Sequence, residues 1–154
     1  MLLKNINSQV STLNNEFSVI IINDASTENR LDLSTDLNNL KSVQIINMKE
    51  NKGHARCNAV GLKYINEKED FDYAIPMDGD GEDRPEELSL LVDKTKKYPD
   101  TVVTANRVKR SEGFIFKFCY LIHKYLTYVF TGHSIKYGNY TCLPKSVVNK
   151  IVNE

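Results

Sequence analysis

The sequence predicts an α/β protein built on a doubly wound, mostly parallel sheet, and three observations carry that reading. Short runs rich in apolar and β-branched residues recur at 17–22, 43–48, 73–77 and 101–105, the composition of strands buried on both faces. Between them, apolar residues fall at three- and four-residue steps, the spacing of helices with one buried face. Carboxylates, glycines and hydrogen-bonding side chains gather just past the ends of these runs, where an open α/β sheet collects its ligand.

Taken in order, Leu2, Leu3, Ile6, Val10 and Leu13 give an amphipathic first helix that leads into the strand at 17–22. Leu31, Leu33, Leu37 and Leu40 predict a short helix over 30–40, ahead of the second strand at 43–48. A helix is expected over 54–66, a third strand over 73–77, and a helix over 85–97. Pro85 suits that helix's first turn, where its fixed φ and missing N–H cost nothing. The fourth strand covers 101–105. Strand-helix-strand units of this size cross over right-handed and bring their strand ends to one side of the sheet.

Composition narrows the function classes. With 154 residues, 41% of them hydrophobic, the chain is one ordinary globular domain with a real core. Lys plus Arg equals Asp plus Glu at 20 each, so no global field favours nucleic acid and anion recognition must be local. Cys57, Cys119 and Cys142 are odd in number, far apart and free of Cys-x-x-Cys spacing. That argues against a disulfide framework and a structural zinc site, and for a reducing, cytoplasmic compartment. No signal peptide is recognisable, and no stretch is long and apolar enough to span a bilayer.

Three motifs sit at strand ends. Asp78-Gly79-Asp80, directly after 73–77 and before Arg84-Pro85-Glu86, offers two hard oxygen ligands where a divalent cation and a bound phosphate can meet. Asn23-Asp24-Ala25-Ser26 ends the first strand; its carboxylate can accept hydrogen bonds from a base N–H or ribose hydroxyls, or the segment is a plain turn in which Ser26 caps the next element. Residues 51–61 place Gly53 at a tight helix entry, with Arg56 and Asn58 as donors near a helix N-terminus suited to anions. No His or Glu occupies a motif position that demands a general base.

Together these pieces resemble the nucleotide-diphospho-sugar transferases of glycosyltransferase family 2. That family runs from an apolar strand into Asp-Asp-x-Ser, then Asn-x-Gly-x-x-x-Ala-x-Asn-x-Gly, then a strand into Asp-x-Asp before a Pro-Glu helix start. Here the order is kept, with Asn23 in place of the first Asp and Arg56-Cys57 where Ala-Arg is commoner. Downstream, Asn106-Arg107-Val108-Lys109-Arg110 looks like the polyprenyl-phosphate branch, typified by dolichol-phosphate mannose synthases, in which strand-end basic residues meet the acceptor's phosphate. Residues 113–132 are aromatic-rich, with Lys117, Lys124 and Thr131 marking one polar edge. Such a helix suits a membrane surface or burial against protein better than a span. Residues 138–144 then resemble the family's short strand before a last helix over 144–152.

The resemblance implies a single GT-A domain over 1–154, incomplete at the N-terminus and at the C-terminus, with the family's first strand missing, so that the strands beginning at Phe17 and Tyr73 lack their shared neighbour. It implies an inverting, metal-dependent transferase acting in cell-envelope glycan synthesis, from a UDP- or GDP-sugar to a polyprenyl phosphate or a saccharide. Asp78 and Asp80 would be the catalytic pair and hold Mg²⁺ or Mn²⁺. Asp24, Ser26, Gly53, Arg56 and Asn58 would bind the nucleotide-sugar, and Arg107 with Arg110 the acceptor phosphate. Location would be cytoplasmic, at the inner face of the membrane, with peripheral contact through 114–130. A truncated, inactive nucleotide-binding domain is one alternative. The Asp-x-Asp-Gly nucleophile loop of haloacid-dehalogenase-type phosphatases is another, although that loop belongs after a first strand and Glu82 comes next here. An EF-hand loop fails because Asp83 and Ser89 occupy its Gly and Glu positions.

Overall fold

A computed structural model describes residues 2–27, 36–105 and 140–154. Its elements are α1 (Leu2–Val10), β1 (Ser18–Asn23), β2 (Ser42–Asn47), α2 (His54–Lys68), β3 (Tyr73–Ala74), a 3-10 turn (Pro85–Glu87) that runs into α3 (Leu88–Lys97), β4 (Val103–Thr104), β5 (Thr141–Pro144) and α4 (Lys145–Asn153). The expected helix over 113–132 and the arginines at 107 and 110 lie outside the described residues, as does most of the helix expected over 30–40. The described tail of that helix, 36–40, is turn rather than helix. Asn39 explains this, since its N–H donates to Asn7 Oδ1 at 3.0 Å and its Nδ2 to the Asn7 carbonyl at 3.2 Å, an alternative to helical pairing that Asn favours. Leu40 is still buried, and Lys41 N–H donates to the Phe17 carbonyl at 2.8 Å, which starts the β1–β2 pairing.

β1 and β2 pair in parallel from Ser18↔Ser42 to Asn23↔Asn47. In the second sheet the order is β3-β5-β4, with β5 antiparallel to both neighbours, so β3 and β4 run in the same direction. Successive residues of β5 point to opposite faces. Cys142 joins Val10, Leu40, Leu88, Leu91 and Tyr140 in one core, with α1 and α3; Leu143 joins Ala74 and Val148 in the other, with Leu62 and Ile65 of α2. The first core also takes in Val19 and Val43, so the same helical layer covers both sheets. α2 reaches the first sheet as well: a Cβ on Gly61 would stand 3.3 Å from Ile22 Cγ1, so only glycine lets helix and strand approach this closely without displacement.

The strand expected over 73–77 forms ladder pairs at Tyr73 and Ala74 alone. Pro76 interrupts the run, so a backbone donor that would prolong the ladder past Ala74 is missing. Residues 75–77 instead face a cleft of about 1990 Å³ that separates the two sheets, its other wall being β1. The apolar run of β1 predicts burial on both faces, yet none of its residues is fully buried. Phe17 and Asn23 direct their carbonyls to Lys41 and Met48 on the β2 side. Alternation therefore turns the backbone groups of Ser18, Ile20 and Ile22 toward the cleft, and among the described residues no strand pairs with that edge.

Candidate functional site

The sequence puts a turn directly after β1, and Asn23 shapes it. Asn23 Oδ1 accepts the Ser26 N–H at 3.1 Å, while Asn23 Nδ2 donates to Asn47 Oδ1 at 2.8 Å. The Asn that replaces the family's usual first Asp thus ties the ends of both parallel strands together, a contact needing the amide's donor and acceptor at once. Ala25 adopts φ 54 in this turn. Ser26 caps no described helix, because 28–35 lie outside the described residues.

Asp24 faces the loop before α2. Its Oδ1 accepts the Lys52 N–H at 2.7 Å and its Oδ2 the Gly53 N–H at 2.8 Å. The backbone N–H of Lys52, together with that of Gly53 and the Cys57 thiol, holds the Asp24 carboxyl below its ordinary pKa against a smaller opposing effect of desolvation. Cys57 moves the other way: burial first, then the Asp24 charge and hydrogen bond, raise its thiol pKa. Gly53 has φ 79 and ψ 163, a conformation essentially confined to glycine, which turns the chain into α2. Arg56 lies exposed in the first turn of that helix. Asn58 Nδ2 pairs with His54 Nε2 at 3.0 Å.

Asp78 meets this assembly from the other side of the cleft. Its Oδ1 stands 3.3 Å from His54 Nδ1, and its own N–H donates to Asp83 Oδ2 at 2.8 Å. Asp80 is exposed, and its Oδ1 accepts the Glu82 N–H at 2.9 Å. Asp24, Gly53, His54 and Asp78 are therefore linked end to end, and the cleft is lined by Ile22, His54, Asn58, Asp78 and Asp80. The ends of β1 and of the 73–77 segment meet through His54 and Asp78. After β4, Ala105 N–H donates to the Tyr140 carbonyl at 2.9 Å, and the Tyr140 hydroxyl donates to the Arg84 carbonyl at 3.1 Å.

Of the residues singled out from sequence, Asn58, Asp78 and Asp80 line the cleft. Asp24 and Gly53 are joined to each other and, through His54, to Asp78 without lining it, Arg56 does not line it, and Arg107 and Arg110 are outside the described residues. Sequence reading gave no site role to His54, Cys57, Asp83 or Tyr140. His54 had a signal, since it begins α2 immediately after the Gly53 turn; Asp83 and Tyr140 had none, because only the fold shows that they are buried beside the loop.

Among the described residues, no three His, Cys, Asp or Glu side chains are close enough to hold a metal ion by themselves. Among the carboxylates that line the cleft, Asp78 and Asp80 are the two that follow the 73–77 segment directly. Two carboxylates are the donor type that holds Mg²⁺ when a substrate's phosphates and water supply its remaining ligands. No helix among the described residues is long and apolar enough to cross a membrane.

An α/β sheet whose parallel strand ends meet a carboxylate loop across a cleft is the arrangement of open α/β proteins that bind their ligands beyond the strand ends. The family model for glycosyl transferase family 2 matches residues 1–144. The chain belongs to that family, and its fold is GT-A. It is also similar to the undecaprenyl-phosphate 4-deoxy-4-formamido-L-arabinose transferase of Proteus mirabilis (strain HI4320), at 24% identity over 141 residues, which cover 92% of this chain and 42% of that protein. The chain thus spans less than half the length of that relative.

Proposed function

We propose that the protein transfers a sugar from a UDP- or GDP-sugar to a polyprenyl phosphate, with inversion at the anomeric carbon, in cell-envelope glycan synthesis. The observation that supports this reading is the continuous line from Asp24, through Gly53 and His54, to Asp78, which ties the carboxylate after β1 to the carboxylate loop that lines the cleft. The name of the Proteus relative, an undecaprenyl-phosphate sugar transferase, supports the acceptor class.

In this reading Asp24 first orders the loop at 52–53. A carboxylate offers about four lone-pair sites, so beside the Lys52, Gly53 and Cys57 donors about one remains to accept a base or ribose donor. Gly53 keeps the loop open to the nucleotide, and Asn58 holds His54 beside Asp78. Asp78 and Asp80 would hold Mg²⁺ or Mn²⁺, which would supply charge neutralisation for the leaving diphosphate. An acceptor phosphate oxygen attacks the anomeric carbon as the bond to the nucleoside diphosphate breaks, and the electron pair leaves on the diphosphate. A phosphomonoester has a second pKa of about 6, so near neutral pH the nucleophile is already ionised and needs no general base. Arg107 and Arg110, three residues apart after β4, would grip that phosphate with charge-assisted hydrogen bonds. Peripheral membrane contact through 114–130 would bring the lipid acceptor within reach at the cytoplasmic face.

The test is transfer of radiolabelled sugar from UDP- and GDP-sugars, with Mn²⁺, into butanol-extractable undecaprenyl phosphate. Label should enter the lipid fraction. Arg107→Ala should lower kcat/KM for the lipid by roughly 10- to 100-fold, the loss of a charge-assisted contact of about 1.5–3 kcal/mol, while donor affinity stays put. Label passing to simple saccharides instead, equally well in Arg107→Ala, would remove the polyprenyl acceptor and leave a family 2 transferase of another specificity.

A further inference from the structure

Asp83 is a buried carboxylate to which the proposed reaction gives no role. It is 2% exposed and among the most completely buried side chains described, although aspartate is almost never fully buried unless partnered. Its Oδ2 accepts the backbone N–H of Asp78 at 2.8 Å, closing the loop that carries Gly79, Asp80, Gly81 and Glu82. Inside that loop Asp80 Oδ1 accepts the Glu82 N–H, and Gly81 takes φ 85, so the chain reverses sharply. The loop's other side is fixed as well. Arg84, the next residue, offers its carbonyl to the Tyr140 hydroxyl at 3.1 Å, and both Tyr140 and Pro85 are buried. The chain's entry into the loop thus hangs on Asp83, and its exit hangs on Tyr140 at the start of β5.

We propose that Asp83 is a positioning residue for the diphosphate end of the site: by accepting the Asp78 N–H from a buried place it fixes the backbone from which Asp78 and Asp80 present their carboxylates to the cleft. The inference rests on the transferase reading for what the loop binds, but not for what fixes the loop. Asp83 is no ligand itself, because its carboxylate lies beneath the loop while Asp80 is exposed. Acceptor geometry, rather than charge, is the property required. An asparagine oxygen at the same position serves, and an alanine does not.

Two measurements on the full chain separate this from simple core stability. Amide hydrogen exchange at Asp78 should be slow in the parent and in Asp83→Asn, and at least about 10-fold faster in Asp83→Ala at matched global stability. Half-saturation by Mn²⁺ in the presence of a UDP- or GDP-sugar should rise roughly 10-fold in Asp83→Ala and stay near the parent's in Asp83→Asn, as when an outer partner of a metal-binding carboxylate is lost. Affinity for the nucleotide-sugar without metal should not change. Should Asp83→Ala not fold, Asp83→Ser takes its place, since its shorter side chain cannot span the same gap. Unchanged Asp78 exchange in Asp83→Ala, or Asp83→Asn as impaired as Asp83→Ala, overturns the proposal. If the parent binds nucleotide-sugar identically with and without Mn²⁺, it is the metal reading that falls, and Asp78 exchange alone then decides the role of Asp83.

Discussion

Asp24 shows how one side chain links the fold to solution behaviour. In the folded chain its carboxylate accepts two backbone N–H groups at 2.7 and 2.8 Å, and its pKa lies below the ordinary value. In the unfolded chain those donors are gone and the group titrates near about 3.9. The depressed folded value means the stabilisation is fully present above the unfolded pKa, and it is lost as pH falls through the folded pKa. Urea midpoints should therefore drop more steeply below about pH 4 in the parent than in Asp24→Asn. Parallel acid limbs in the two proteins would show that the Lys52 and Gly53 donors contribute nothing. Cys142 obeys the same physics with the opposite sign. It is fully enclosed and its thiol is pushed up to about 11, so it acts as a small apolar filler of the core.

At the scale of elements, the loop from 51 to 53 converts strand order into site geometry. Gly53 sits at φ 79 with nothing within 4 Å of a built Cβ, so an alanine there meets no clash and the penalty is conformational. Gly53→Ala should cost about 1–3 kcal/mol in urea denaturation, and it should weaken nucleotide-sugar binding because the Gly53 N–H would no longer aim at Asp24. A stability change near zero would mean that the turn adapts. The sequence showed this turn, the helix after it and the carboxylate pair at 78 and 80, because each is written in local residue types: a glycine before a periodic helix, and acids after an apolar run. The length of the third strand was not legible, because the antiparallel pairing reaches only Ala74↔Leu143, a fact of long-range register. The turn at 36–40 was hidden for the same reason, since Leu37 and Leu40 keep helical spacing while Asn39 is drawn to Asn7 across the structure. Asp83 reads as one more surface acid in sequence, and only the packing of Tyr140 and Pro85 around it reveals a buried acceptor.

For the molecule as a whole, the two sheets share their helical layers but, among the described residues, no ladder. A cleft lies between β1 and β3, and among the described residues no strand fills it. An apolar strand edge open along Ser18, Ile20 and Ile22 is a template for pairing with another chain. The protein should therefore self-associate as concentration rises, and Ile20→Lys should suppress the association, as read by light scattering on a dilution series. A monodisperse parent across that series would show that the edge is covered. The cleft's mouth is the other whole-molecule feature, since it joins the end of β1 and the 73–77 segment into one site. The central claim is that this mouth binds a nucleotide-sugar through a cation held by Asp78 and Asp80. Calorimetric titration of UDP- and GDP-sugars into the protein, with and without Mn²⁺, tests it most directly. The account predicts that affinity for one of these donors depends on the metal and that the dependence disappears in Asp80→Ala; equal affinity without metal, or an Asp80→Ala variant as responsive to Mn²⁺ as the parent, would contradict it.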